Sequence, residues 1–223
     1  MWPMFEFSIM RTILNKIFLL LILPMSVLSQ ENDFQTWTSV SASKKIIKKT
    51  NLIVKQGARF RENSTMYSKL FTDIKIKRKY NKHFSFAAGY RHSTDWNKKQ
   101  DLENKNRFYL DVYYKDKYYK RYLLGVRTRW QTQGNMFGYS TTFRQKFVFA
   151  YNIKKTKLEP SVGLEYFLPF ESMLVEKLRY TFGFSHPITK DLDFVLAYRI
   201  QQEFNTNNPE TLFIFDGKVS YNF

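Results

Sequence analysis

The chain has 223 residues, with 36 Lys and Arg against 19 Asp and Glu, a net charge of +17, and 18% aromatic residues. It has no cysteine, which excludes disulfides, thiolate metal sites, cysteine nucleophiles and a lipid-bearing cysteine. For a single domain of this size, a basic and aromatic-rich balance leaves two broad classes: a nucleic-acid binder or a membrane barrel with aromatic girdles.

The first segment separates these classes. RTILNKIFLLLILPMSVLSQ places Arg11 and Lys16 before an apolar core from Ile17 to Leu23. Pro24 breaks that core, and Ser26, Val27 and Ser29 follow. This pattern predicts a secretory signal peptide over residues 1–29, cleaved after Ser29, with a barrel domain over 30–223. The apolar run falls short of the roughly 20 residues a spanning helix needs. Met10 competes with Met1 as the start, because MRTILNKIF makes the better basic region. An exported chain does not meet nucleic acid routinely, so no nucleic-acid partner is expected.

Beyond Ser29 the apolar residues alternate with period two, segment after segment. The predicted strands are 34–44, 50–61, 66–79, 83–96, 105–116, 120–133, 140–151, 158–168, 173–186, 191–204 and 211–223. In RYLLGVRTRWQTQ, Tyr122, Leu124, Val126, Thr128 and Trp130 oppose Arg121, Leu123, Gly125, Arg127, Arg129 and Gln131. In KLRYTFGFSH, Leu178, Tyr180, Phe182 and Phe184 oppose Lys177, Arg179, Thr181 and Gly183. Most segments exceed the 5 or 6 residues typical of soluble strands and suit the roughly 9 to 11 of a bilayer-crossing strand. Tight connections (80–83, 115–120, 152–157, 186–191) alternate with looser ones such as NKKQDLENKN and QGNMFG, as turns and loops do in outer-membrane barrels.

The fold predicted is all-β: a closed antiparallel transmembrane barrel. Single-chain bacterial barrels have even strand numbers, so ten strands is the first expectation and twelve the second. Segment 34–44 is then an extra piece without an assigned role.

In such a barrel the apolar face meets lipid and the polar face meets the lumen. The lumen-facing basic wall is read as Arg59, Arg107, Arg121, Arg127, Arg129, Arg144, Arg179 and Arg199, with lysines such as Lys55, Lys146 and Lys218. The lumen-facing acids are Asp73, Asp111, Glu159, Glu165, Asp193 and Glu203. Gly57, Gly89, Gly125, Gly163 and Gly183 fall inward as well, and Gly217 does so if the last strand is bulged. Two functions fit this wall: a structural barrel or narrow pore with a mostly side-chain-filled lumen, and an anion-preferring channel. A third reading is a membrane-embedded lipid-modifying hydrolase using His92 on the lipid face, with Ser140 as the nearest nucleophile. No Gly-x-Ser-x-Gly elbow, metal-ligand spacing or phosphate-cradling loop occurs, so neither metal nor cofactor is expected and the chain is read as non-enzymatic.

Trp37 with Ser39 and Ser41, the lysine turn after them, Arg59, Ala88-Gly89-Tyr90-Arg91 and Arg107-Phe108-Tyr109 are similar to a family of small bacterial outer-membrane proteins known as domain of unknown function 2490. The resemblance runs from about residue 33 onward. It implies a barrel and an outer-membrane address, with lipid and the barrel assembly machinery as partners of a monomer, and it supplies no activity. Tyr221 and Phe223 resemble the terminal signal that this machinery reads. The glycine usual five residues before the last aromatic stands six before, at Gly217.

Overall fold

Period-two alternation becomes a continuous sheet in the computed structural model, which describes residues 31–97, 99 and 101–223. The predicted signal peptide lies outside the described residues. The strands are β1 (Glu31–Ile47), β2 (Thr50–Arg61), β3 (Met66–Lys79), β4 (Phe84–Trp96), β5 (Leu102–Tyr118), β6 (Tyr122–Asn135), β7 (Gly138–Tyr151), β8 (Glu159–Pro169), β9 (Lys177–Pro187), β10 (Leu192–Glu203) and β11 (Glu210–Asn222). Consecutive strands pair antiparallel, and β1 pairs with β11 to close the barrel.

The barrel therefore has eleven strands, in place of the ten or twelve expected. Segment 34–44 lies inside β1, which is paired on both sides. With an odd number the first and last strands run the same way, so the closing ladder must be parallel. It extends from Glu31 opposite Glu210 to Ser43 opposite Asn222. Closure requires that every edge find a partner, and a parallel ladder meets that requirement as an antiparallel one does.

Connections 48–49, 80–83, 119–121, 152–158 and 188–191 gather at one end of the barrel, the turn end. Connections 62–65, 97–101, 136–137, 170–176 and 204–209 gather at the other, the loop end. The expected contrast in length is weak, because β5 and β7 start earlier than predicted and convert loop into ladder. The β5–β6 hairpin turns through Tyr119 and Lys120 with φ of 48° and 61°. This is the primed geometry that matches strand twist, built without the usual Asn-Gly.

The wall is inside-out relative to a soluble protein. On β5, Phe108 and Leu110 are 54% and 64% exposed on the outer face. Between and beyond them, Tyr109 and Asp111 are 4% and 1% exposed on the inner face. Aromatic rings mark both ends of the exterior. Tyr67 packs on Phe60 at 4.7 Å and Trp96 at 5.9 Å at the loop end. At the turn end Tyr114 packs on Phe84 at 5.2 Å, and Tyr122 on Tyr151 at 5.2 Å. Phe84 and Trp96 bound β4, about 40 Å apart along a strand and about 28 Å along the axis at a tilt of about 45°. Tyr221 and Phe223 also stack edge to face at the turn end, and the Phe223 amide donates to Ser43 O at 2.8 Å.

The last strand settles one conditional placement, and one predicted position moves. Gly217 lies opposite Leu196 and Thr38 on the outer parity, because the ladders of β11 run without a bulge. Arg121 lies in the turn before β6 rather than on the wall, and its guanidinium donates to the Tyr151 hydroxyl at 3.4 Å. The ladder of β6 begins at Tyr122, two residues later than its alternation suggests.

Candidate functional site

The lumen is built from the inward parity of every strand, and its middle is filled by arginines stacked on rings. Phe71 on β3 and Tyr109 on β5 lie over Gly57 and Gly89, their partners on the neighbouring strands. A Cβ at either glycine would overlap the ring, so glycine is what lets each aromatic lie flat across the wall. Arg91 covers Phe71 at 4.0 Å and Arg129 covers Tyr109 at 3.8 Å. On the facing wall, Arg144 and Arg179 lie 4.3 and 4.8 Å from the Phe167 ring. Trp37 of β1 receives Arg59 at 3.7 Å, Arg179 at 5.1 Å and Arg199 at 5.9 Å. Such cation–π contacts strengthen when desolvated.

Carboxylates lock this belt. Glu165 is almost fully buried and accepts from three arginines on three strands: Arg127 Nη2 at 2.5 Å, Arg144 Nη2 at 2.7 Å and Arg179 Nη1 at 3.4 Å. Asp111 takes Arg129 in a two-pronged pair, Nε at 2.6 Å and Nη2 at 2.7 Å, and the Tyr113 hydroxyl at 2.7 Å. Asp73 accepts from Arg91 Nε at 2.9 Å and from the Tyr109 hydroxyl at 2.7 Å. Asp216 pairs with Arg199. Toward the loop end Glu203 holds Lys177 at 2.5 Å, Asp95 holds Lys69 at 2.6 Å, and Arg107 donates to Gln133. Forked guanidinium–carboxylate pairs of this kind are the strong ones.

The belt does not fill the barrel. A cavity of about 1010 Å³ runs beside it from Lys69, Glu176 and Glu203 at the loop end to Ser43, Ser220 and Asn222 toward the turn end. The inner face of β1 makes this room. Between Trp37 and Lys45 it carries Ser39, Ser41 and Ser43, where other strands carry long side chains. Fourteen Lys and Arg line the cavity, against six Asp and Glu.

Of the predicted basic wall, Arg59, Arg107, Arg127, Arg129, Arg144, Arg179 and Arg199 line the cavity, as do Asp73, Glu165 and Glu203 among the acids. Asp111 is buried in its pair with Arg129. Glu159 starts β8 opposite Ser185. Asp193 sits at the turn-end rim and accepts from Asn222 Nδ2 at 3.1 Å. Sequence reasoning missed Arg91, Lys69 and Trp37. Alternation alone would have found Arg91, two positions from Gly89 on the same parity.

His92 faces outward in a row along neighbouring strands: Gln56, Thr72, His92, Asn106. Its Nδ1 shares a hydrogen bond with Asn106 Oδ1 at 3.1 Å, and the Tyr90 hydroxyl donates to the same oxygen at 2.7 Å. Ser140 lies on the opposite face of the wall, lining the cavity. The serine and histidine of the hydrolase reading are thus held on different sides of the sheet. Among the described residues no group of three or more His, Asp or Glu converges as a metal-ligand set.

Residues 34–211 match the model of the family described as protein of unknown function (DUF2490). The chain belongs to this family. No curated protein matches significantly. Among solved structures, the β domain of the Bordetella autotransporter Brka is similar at 8% identity and a TM-score of 0.48, covering 74% of this chain and 78% of that one.

Proposed function

We propose that the protein is an integral outer-membrane β-barrel that offers anions a narrow, positively charged passage, without enzymatic activity. The observation that carries this reading is the cavity lining, where Lys and Arg outnumber Asp and Glu by more than two to one. The apolar outer face between aromatic ends supports placement in a bilayer, where closure satisfies every strand's backbone groups. A low-dielectric wall around excess positive charge raises the local concentration of anions and excludes cations. The arginine belt narrows the path, so passage favours small solutes.

Two measurements test this. Membrane fractionation with heat-modifiable gel migration checks the barrel and its address: the protein is expected in outer-membrane fractions, with a folded band that shifts on boiling. Refolded protein in a planar bilayer under a KCl gradient is expected to give small steps whose reversal potential reports preference for chloride. Cation preference would overturn the passage reading. A silent bilayer would favour a structural barrel, for which the stacked and paired belt is the supporting observation.

A further inference from the structure

We infer that the turn-end half of the lumen is a binding site for phosphate-class oxyanions, formed by Lys55, Lys146 and Lys218 around the Ser39 hydroxyl. The inference deepens the anion-attracting reading and rests on it for the ligand's access, but it does not require conduction.

The three lysines differ from every arginine of the belt except Arg59. Among the described residues none of them forms an ion pair or hydrogen bond, although all three line the cavity. Lys55 sits on β2 opposite Ser41, and Lys218 sits on β11 opposite Ser39. They therefore flank the serine row of β1 from its two sides. Lys146 stands on β7. It and Lys55 are within electrostatic reach of Lys218, and so are Asp216 for Lys55 and Lys218 and Glu165 for Lys146. Asp216 and Glu165 form their ion pairs with arginines, so the three lysines keep a demand for negative charge that a multivalent anion meets and a neutral solute does not.

A second, independent feature points the same way. Ser39 is buried, and its hydroxyl has no hydrogen-bond partner among the described residues. It lies between Gly57 of β2, over which the Phe71 ring lies, and Lys218 of β11. A buried hydroxyl without a partner is costly, and an acceptor oxygen of a ligand would satisfy it.

The ligand chemistry follows from the donors. Lysine is a compact point charge with three donors, suited to phosphate without demanding planar, two-pronged geometry. A phosphate group carries about −1.5 to −2 charges near pH 7 and several strong acceptor oxygens. It can meet ammonium groups on separate walls and a hydroxyl at once, whereas chloride can do so only as a sphere of single charge. The phosphate could come from a free solute or from a lipid headgroup. The closed ladder shuts the lumen to the bilayer, which favours a free solute.

The test uses the refolded full chain in detergent, titrated calorimetrically with inorganic phosphate and with pyrophosphate at fixed chloride. Wild type is expected to bind both, with pyrophosphate tighter. K55Q/K146Q/K218Q is expected to weaken binding at least 10-fold and Ser39→Ala about 3-fold, while the heat-modifiable band persists. Arg121→Gln removes a positive charge at the turn, outside the cavity, and is expected to leave binding unchanged. Lysine acylation read by mass spectrometry covers the case in which the triple variant does not fold. In wild type, phosphate is expected to protect Lys55, Lys146 and Lys218 and to spare turn lysines such as Lys120. Vesicles containing a phosphomonoester lipid distinguish the second source. Protection by vesicles without free phosphate would overturn the free-solute assignment. Absence of protection, or phosphate binding no tighter than chloride, would overturn the site. Anion-selective current with no phosphate binding sinks this inference and leaves the passage standing. Phosphate binding in a silent barrel does the reverse.

Discussion

The arginines of the middle belt and the lysines toward the turn end share one lumen, yet they are treated differently. Arg129, Arg144, Arg91 and Arg179 each lie on a ring and against a carboxylate. Lys55, Lys146 and Lys218 line the same cavity but form no ion pair among the described residues, and only Lys55 lies over a ring, Phe71 at 5.7 Å. Arginine's planar fork can stack and pair at once, while lysine holds its charge at the tip of a flexible stem. The difference teaches that one excess of positive charge serves two purposes. The belt is structure, and removing its counter-charges should unfold it. The lysines are poised for something that is not part of the chain, and removing them should cost the fold little.

The sharpest way to break this comparison is Glu165→Ala. It leaves the buried guanidiniums of Arg144 and Arg179 and the half-buried one of Arg127 without their carboxylate, and breaking a buried ion cluster costs about 3–5 kcal/mol. The temperature at which the folded gel band is lost should fall steeply. If Glu165→Ala proved as mild as Lys146→Gln, the distinction between belt and lysines would fail. Trp37→Ala comes next. It deletes a large buried ring and the stack on Arg59, at about 3 kcal/mol. In the bilayer it should also widen the path and raise the conductance step, and an unchanged step would show that the belt is not the constriction. Gly89→Ala should cost about 1–3 kcal/mol by pushing Tyr109 off the wall and away from Asp73, measurable as a lower urea midpoint for loss of the folded band. Lys146→Gln should change the stability read from that midpoint by less than about 0.5 kcal/mol, in either direction, since no ion pair or hydrogen bond is lost. The smallest effect is expected outside the lumen: His92→Leu should leave folding and lipid composition as in wild type. Altered lipid products from an intact barrel would revive the hydrolase reading.

Much of this architecture was readable from alternation. Segment after segment showed which side of each strand was apolar, and the parity that put Phe108 and Leu110 outside also put Asp111 inside. Arg127, Arg129, Arg144, Arg179 and Arg199 were placed inward for the same reason. What the sequence could not show was who meets whom. Glu165 collects arginines from positions 127, 144 and 179, and only the register of four strands brings them together. The unpaired state of Lys146 is equally invisible, because Glu165 is its direct neighbour across the ladder yet turns to the arginines. The strand number was misjudged for a different reason. Eleven segments were visible, but the expectation of even numbers displaced the count. The glycines at 57 and 89 were placed inward, while their use as seats for Phe71 and Tyr109 depended on a cross-strand pairing that no local pattern carries.

The Glu165 cluster has a consequence for assembly. Its three arginine partners lie on β6, β7 and β9, and Glu165 itself lies on β8, so the cluster forms only when four consecutive strands stand in the correct order and alignment. A slip of one residue in β8 would turn Glu165 to the apolar outer face and bring Leu164 or Tyr166 inward. In the membrane placement proposed above, an unpaired carboxylate at that depth would be among the least tolerated arrangements. Charge pairing and strand alignment are thus tied together: a one-residue slip in β8 would cost all three of the Glu165 pairs at once.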